Sequence, residues 1–274
     1  EVTGGYIQFV PPTFRGVLCS QSHWNTLFNY TPSFPSGVLP INPPTTTSGG
    51  CKVFQPGRYT SLPLGSANYL VAGTYVLDNA SMNLSHKSVL GGFPTVAAAD
   101  SAKTTVPECV AAQAADAAAN PGFGGVTLFM SGNSAIDVNV SGSLELFRRK
   151  NNGAYLSIVA VPAGVPGIPA STLSYSSPLI STKSGSTNDI AVHGLVWAPT
   201  SGAVLGNVTN AANGQFLGGL VVATADVQAS ASASATGFFI GVEPGPITAK
   251  VLLSSTATKD GKSTTVRAVV DFRP

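Results

Sequence analysis

Residues 125–160 read GVTLFMSGNSAIDVNVSGSLELFRRKNNGAYLSIVA, a succession of short apolar runs cut by Gly, Asn and Ser. Ile136, Val138 and Val140 recur with a period of two, the spacing at which a strand presents one face. The pattern continues as DIAVHGLVWAP at 189–199, GQFLGGLVVATADVQAS at 214–230 and GFFIGV at 237–242. Runs such as Gly219-Leu220-Val221-Val222-Ala223 are apolar at every position, which points to parallel strands covered on both faces. Similar segments return about every 20 residues, within the range of stacked β repeats. The expected fold is all-β: an irregular right-handed parallel β-helix, with a Greek-key β-sandwich as the alternative.

One stretch departs from the β pattern. In Val106-Pro107-Glu108-Cys109 and the Ala-rich run to Asn120, Pro and Glu occupy a first turn and Asn120-Pro121-Gly122 supplies a stop, so a short helix is expected near 107–120. At the other end of the chain, residues 249–259 and 262–272 flank Asp260-Gly261. This is a two-residue hairpin signal, because Gly tolerates the positive φ that a type I′ turn requires. Residues 1–50 collect Pro (Pro11, Pro12, Pro43, Pro44) and aromatics (Phe9, Trp24, Phe34), which opposes long regular elements. Three units follow: an extended arm or cap at 1–50, a β-helical body at 51–248 and a terminal β-hairpin at 249–274. The arm is expected to pack on the body, with docking on a neighbouring subunit as the other use.

With 274 residues and 43% hydrophobic content, the chain has ample material for a core. Charged residues make up 9%, against roughly 25% in an average soluble protein. Surface polarity then falls to Ser, Thr, Asn and Gln, a composition suited to the extracellular space or the cell surface. A formal net charge of +2 gives no reason to expect a nucleic-acid partner. No apolar run reaches the length of a membrane span. The opening Glu1-Val2-Thr3-Gly4-Gly5 reads as a processed or truncated start. Of the three cysteines, Cys51 and Cys109 are the expected disulfide and Cys19 the remaining thiol, if the protein is exported.

The chemistry is sparse. No catalytic set, metal site or cofactor motif is found: CxxC, HExxH, GxSxG, a Walker motif and a calcium loop are all missing. Asp137, Glu145, Arg148, Arg149 and Lys150 form the nearest mixed charge set, read as a solvated turn before Asn151-Asn152-Gly153. Strand alternation places Asp189, His193 and Trp197 on one face, in the form of an orienting acid, a base and a sugar-stacking ring. They are the ligand-binding candidates, with a core histidine bonded to backbone as the competing explanation. Asn29, Asn79, Asn83, Asn139 and Asn207 each head an N-x-S/T triplet, a number that chance supplies in so Asn-, Ser- and Thr-rich a chain.

Six segments carry a resemblance. They are Pro56-Gly57-Arg58-Tyr59, Ala72-Gly73-Thr74-Tyr75-Val76-Leu77, Gly125-Val126-Thr127-Leu128-Phe129-Met130, Gly153-Ala154-Tyr155-Leu156-Ser157-Ile158, Gly194-Leu195-Val196-Trp197-Ala198-Pro199 and Gly218-Gly219-Leu220-Val221-Val222-Ala223. In this order they resemble ectodomains of bacterial pilus-assembly proteins of the TadE/TadG-like and PilX-like kind. The resemblance implies an exported, mostly β-helical domain without catalytic residues, serving as a structural or adhesive part of a filament or pilus-like appendage. Its implied partners are copies of itself or other appendage subunits. The chain departs from that pattern in lacking an amino-terminal apolar helix and in carrying the Pro/aromatic arm. The other functional expectations are a carbohydrate-active lyase or hydrolase and a carbohydrate-binding adhesin.

Overall fold

The computed structural model describes residues 5–7, 31–95, 106–174, 177–182, 189–206, 214–228, 239–240, 249–259 and 262–272. Cys19, Trp24, Asn29, Asn207 and the Asp260-Gly261 turn lie outside them. Two large sheets dominate. One has 8 strands, running in space from Phe239–Ile240 through Gly214–Phe216, Asp189–Val192, Ser143–Leu146, Ser88–Gly91, Ala67–Leu70 and Cys51–Phe54 to Thr46–Ser48. All its pairings are parallel except that of the edge strand Thr46–Ser48 with Cys51–Phe54. The other has 11 strands and is mixed; its spine includes Gly73–Asp78, Val126–Ser131, Ala154–Ala160 and Leu195–Gly206.

The chain crosses repeatedly between the two sheets, and their facing residues make the central core. Leu70, Leu144 and Ile190 from the first sheet meet Tyr75, Leu128 and Val196 from the second. Parallel neighbours force each strand to be buried on both sides, which is why the runs are apolar throughout. A second cluster on the outer side of the 11-stranded sheet holds Val76, Phe129, Val159 and Trp197. A third, outside the 8-stranded sheet, holds Tyr69, Leu90 and Phe147 around Cys51 and Cys109.

Two expectations are corrected. A Greek-key sandwich requires antiparallel strands, and most pairings here are parallel. The right-handed β-helix is replaced by the two-sheet arrangement. Leu195–Gly206, 12 residues long, pairs first with Ala154–Ala160 and then, beyond an irregularity at 198–202, with Ile180–Thr182. It thereby joins into one sheet strands that a regular coil would hold on separate faces. Antiparallel additions, Gly5–Ile7 on Leu220–Gln228 and Arg149–Asn151 on Ala154–Ala160, make that sheet mixed.

The helical stretch is a 3₁₀ turn at Pro107–Cys109 leading into helix α1, Val110–Ala119. Ala-rich helices of this length have little stability of their own, and two clamps hold this one. Cys109 is bonded to Cys51. Asp116, buried in the helix body, accepts from the Tyr69 hydroxyl and the Ala72 amide at 2.7 Å each, while Asn120 Nδ2 donates to its other oxygen at 2.8 Å. At the carboxyl end, Ala249–Lys259 and Lys262–Phe272 form an antiparallel ribbon in register from Ala249 opposite Phe272 to Lys259 opposite Lys262.

Candidate functional site

In strand Ser143–Leu146, Leu144 and Leu146 enter the central core, so Ser143 and Glu145 belong to the opposite, outer face. The adjacent strand repeats this, with Ile190 and Val192 in the core and Asp189 and Ala191 outside. The register sets Glu145 beside Ala191 and Leu146 beside Val192. The next residues on the two strands, Phe147 and His193, are therefore neighbours, and their rings stack at 4.7 Å with planes 25° apart. The His193 amide donates to the Leu146 carbonyl at 2.9 Å. Its Nε2 and Glu145 Oε1 are joined by a hydrogen bond of 2.9 Å, with both side chains fully buried.

This couple spans two parallel strands. A carboxylate beside an imidazole is a common acid–base arrangement. In this conformation neither side chain reaches solvent, and their hydrogen bond ties strand Ser143–Leu146 to the end of Asp189–Val192. Glu145 does not lie in a solvated turn as its basic neighbours suggested. Arg148 is also buried, with its guanidinium 4.5 Å from the Tyr155 ring centroid. The one sequence clue to Glu145 is its place between Leu144 and Leu146, an outward strand position rather than a turn.

The structure does not bring Asp189, His193 and Trp197 together. Asp189 opens its strand in register with Ser143, partly buried, and burial raises its carboxyl pKa above the ordinary value. Trp197 lies in the other sheet, fully buried with Val76, Phe129 and Val159. The alternation that linked His193 to Trp197 is broken at Gly194. There the chain turns from one sheet to the other, with the Gly194 amide donating to Ser157 Oγ at 3.0 Å. A Cβ at Gly194 would sit 2.6 Å from Ser157 Oγ and 2.7 Å from the Leu156 carbonyl carbon, and one at Gly218 only 2.3 Å from the Gly194 carbonyl carbon. Only glycine permits this stacking of corners.

Two arrangements escaped the sequence reading. The first is the Asp116 hub described above; burial and then the hydrogen bond to Asp116 raise the Tyr69 pKa far above its ordinary value. The second is the asparagine pair that seats part of the amino-terminal arm: packing of the arm on the body is expected from the sequence, its partners are not. Asn151 Nδ2 donates to the Ser33 carbonyl and its Oδ1 accepts from the Ser33 amide, both at 2.8 Å, while Asn152 Nδ2 donates to the Thr31 carbonyl at 2.8 Å. Phe34 packs on Phe129 with centroids 5.3 Å apart, and Phe34 and Leu39 join the Trp197 cluster. Thus the described part of the arm lies on the body. Among the described residues there is no cluster of His, Cys, Asp and Glu able to hold a metal ion. No helix there is long and apolar enough to cross a membrane. Comparisons with protein-family models, curated proteins and solved structures found no match.

Proposed function

We propose that this chain is an exported, non-catalytic structural subunit that assembles into an extracellular filament or pilus-like appendage. The observation that carries the reading is the terminal ribbon. Its strands, Ala249–Lys259 and Lys262–Phe272, are each 11 residues long and, among the described residues, are hydrogen-bonded only to each other. A ribbon of two strands is marginally stable by itself in water, and a strand added from another chain would extend its ladder. The Cys51–Cys109 bond fits an oxidising compartment outside the cell. The low charge content leaves little electrostatic repulsion to oppose contact between copies. The motif resemblance to TadE/TadG-like and PilX-like ectodomains supports the same role.

Sedimentation of the intact chain over a range of concentrations tests the reading. Assembly is expected to grow with concentration and to be blocked by Leu253→Pro, which removes a ladder donor from the ribbon. Concentration-independent monomers of the native chain would reject it.

A second reading, adhesion to carbohydrate, draws on a different surface. Phe123 is 71% exposed and Tyr155 38% exposed, and Arg149, whose guanidinium donates to the Phe123 carbonyl at 3.0 Å, lies between them in sequence. Exposed rings beside guanidinium groups suit the faces of sugar rings. Glycan-array binding abolished by Phe123→Ser would support adhesion; binding unchanged by it would remove this surface from consideration.

A further inference from the structure

The arm is held on both sides of an exposed break. Downstream, Arg58 donates its amide to the Pro40 carbonyl at 2.8 Å, and Asn42 donates to the Arg58 carbonyl at 2.7 Å. Residues 40–42 are thereby fixed to the edge of the body. Upstream, Thr31–Phe34 is seated by Asn151, Asn152 and Phe129. Between these anchors Ser36, Gly37 and Val38 are exposed, Val38 fully so, and a Cβ built at Gly37 meets nothing within 4 Å.

The seat grips main chain and side chain, with Pro32 buried between the two gripped residues. Two asparagine amides bond the Thr31 carbonyl and the Ser33 amide and carbonyl as a neighbouring strand would, and the Phe34 ring on Phe129 adds a side-chain anchor. Any copy of the segment presents the same groups. Exchange of an identical element between protomers preserves every contact and changes only the path of the connecting hinge. Farther upstream, Gly5–Ile7 add antiparallel to the edge of Leu220–Gln228, again through main-chain pairing.

We propose that Thr31–Phe34 is an exchangeable strap: in the assembled protein the seat formed by Asn151, Asn152 and Phe129 receives this segment from a second copy, with Ser36–Val38 as the hinge. The proposal deepens the assembly reading above by naming a contact between copies, and it is independent of the terminal ribbon.

The test mixes two full-length chains in a Cys19→Ser background, one carrying Ser33→Cys and the other Asn151→Cys, and treats them with a short bismaleimide. Exchange predicts a cross-linked dimer in the mixture that neither chain gives alone, increasing with concentration. A double variant, Ser33→Cys with Asn151→Cys in one chain, should close within the chain when dilute. Absence of inter-chain product at every concentration, with the double variant closing normally, overturns the proposal. Removing Ser36–Val38 provides a second arm, since the shortened hinge keeps the strap from its own seat. Dimers or larger closed species by sedimentation are expected, and a monomer overturns the proposal. Filaments without inter-chain cross-links would leave the assembly function standing and remove the strap; cross-linked closed dimers without filaments would do the reverse.

Discussion

Glu145 and His193 show how a buried polar couple is maintained. Removing one partner takes away their hydrogen bond in a site closed to water, at a cost of about 1–3 kcal/mol for a buried polar group. Glu145→Ala and His193→Ala are therefore each expected to lower the denaturation midpoint strongly, and the double variant to cost less than the sum of the two. Equilibrium unfolding of the three variants checks this. Asp189 behaves differently. Burial raises its pKa, so the folded state favours the protonated form. The stability this gives is complete below the unfolded carboxyl pKa and is lost as pH rises through the folded one. Asp189→Asn is accordingly expected to melt above the native chain at neutral pH, with the difference closing as pH falls through the carboxylate range.

At the scale of elements, α1 depends on what pins it to the sheet. Breaking the Cys51–Cys109 bond, which closes a separation of 58 residues, is expected to cost about 2–5 kcal/mol. Asp116→Ala leaves the Tyr69 hydroxyl and the Ala72 amide without their acceptor, at about 1–3 kcal/mol for each buried group. Hydrogen exchange should show helix α1 and strand Ala67–Leu70 losing protection together in either variant. The first strands also carry an alkaline limit. Burial pushes the Tyr59 hydroxyl up from 10.0 to about 12, against a smaller opposing effect from its bond to the Gln55 carbonyl. Protonated Tyr59 favours the fold fully below pH 10, and that contribution disappears as pH climbs towards about 12. Tyr59→Phe should flatten the decline of melting temperature in this window.

These elements were legible in the sequence to different depths. Helix α1 lies within 107–120 because Pro107 and the Asn120-Pro121-Gly122 stop are local signals that tertiary packing did not override. The two ribbon strands are equally local, since their turn residues and alternation sit within one short stretch. Sheet membership is not local. Period two carried Asp189, His193 and Trp197 onto one supposed face because alternation cannot register the corner at Gly194, whose need for glycine comes from Leu156 and Ser157, distant in sequence. Glu145 was misplaced for a related reason: the basic run after it resembles a turn, while the strand that buries it is identified only by pairing with Ser88–Gly91 and Asp189–Val192.

Two large sheets share a central core, and in the proposed assembly the terminal ribbon and the Thr31–Phe34 strap would be the segments that meet a second copy. With 9% charged residues, such copies would meet through main-chain hydrogen bonds more than through ion pairs. On the proposed reading, function at this scale would belong to the assembly. Electron microscopy of the purified chain at physiological salt, over rising concentration, tests this most directly. The account predicts ordered filaments that Leu253→Pro prevents from forming; monodisperse single particles at every concentration would contradict it.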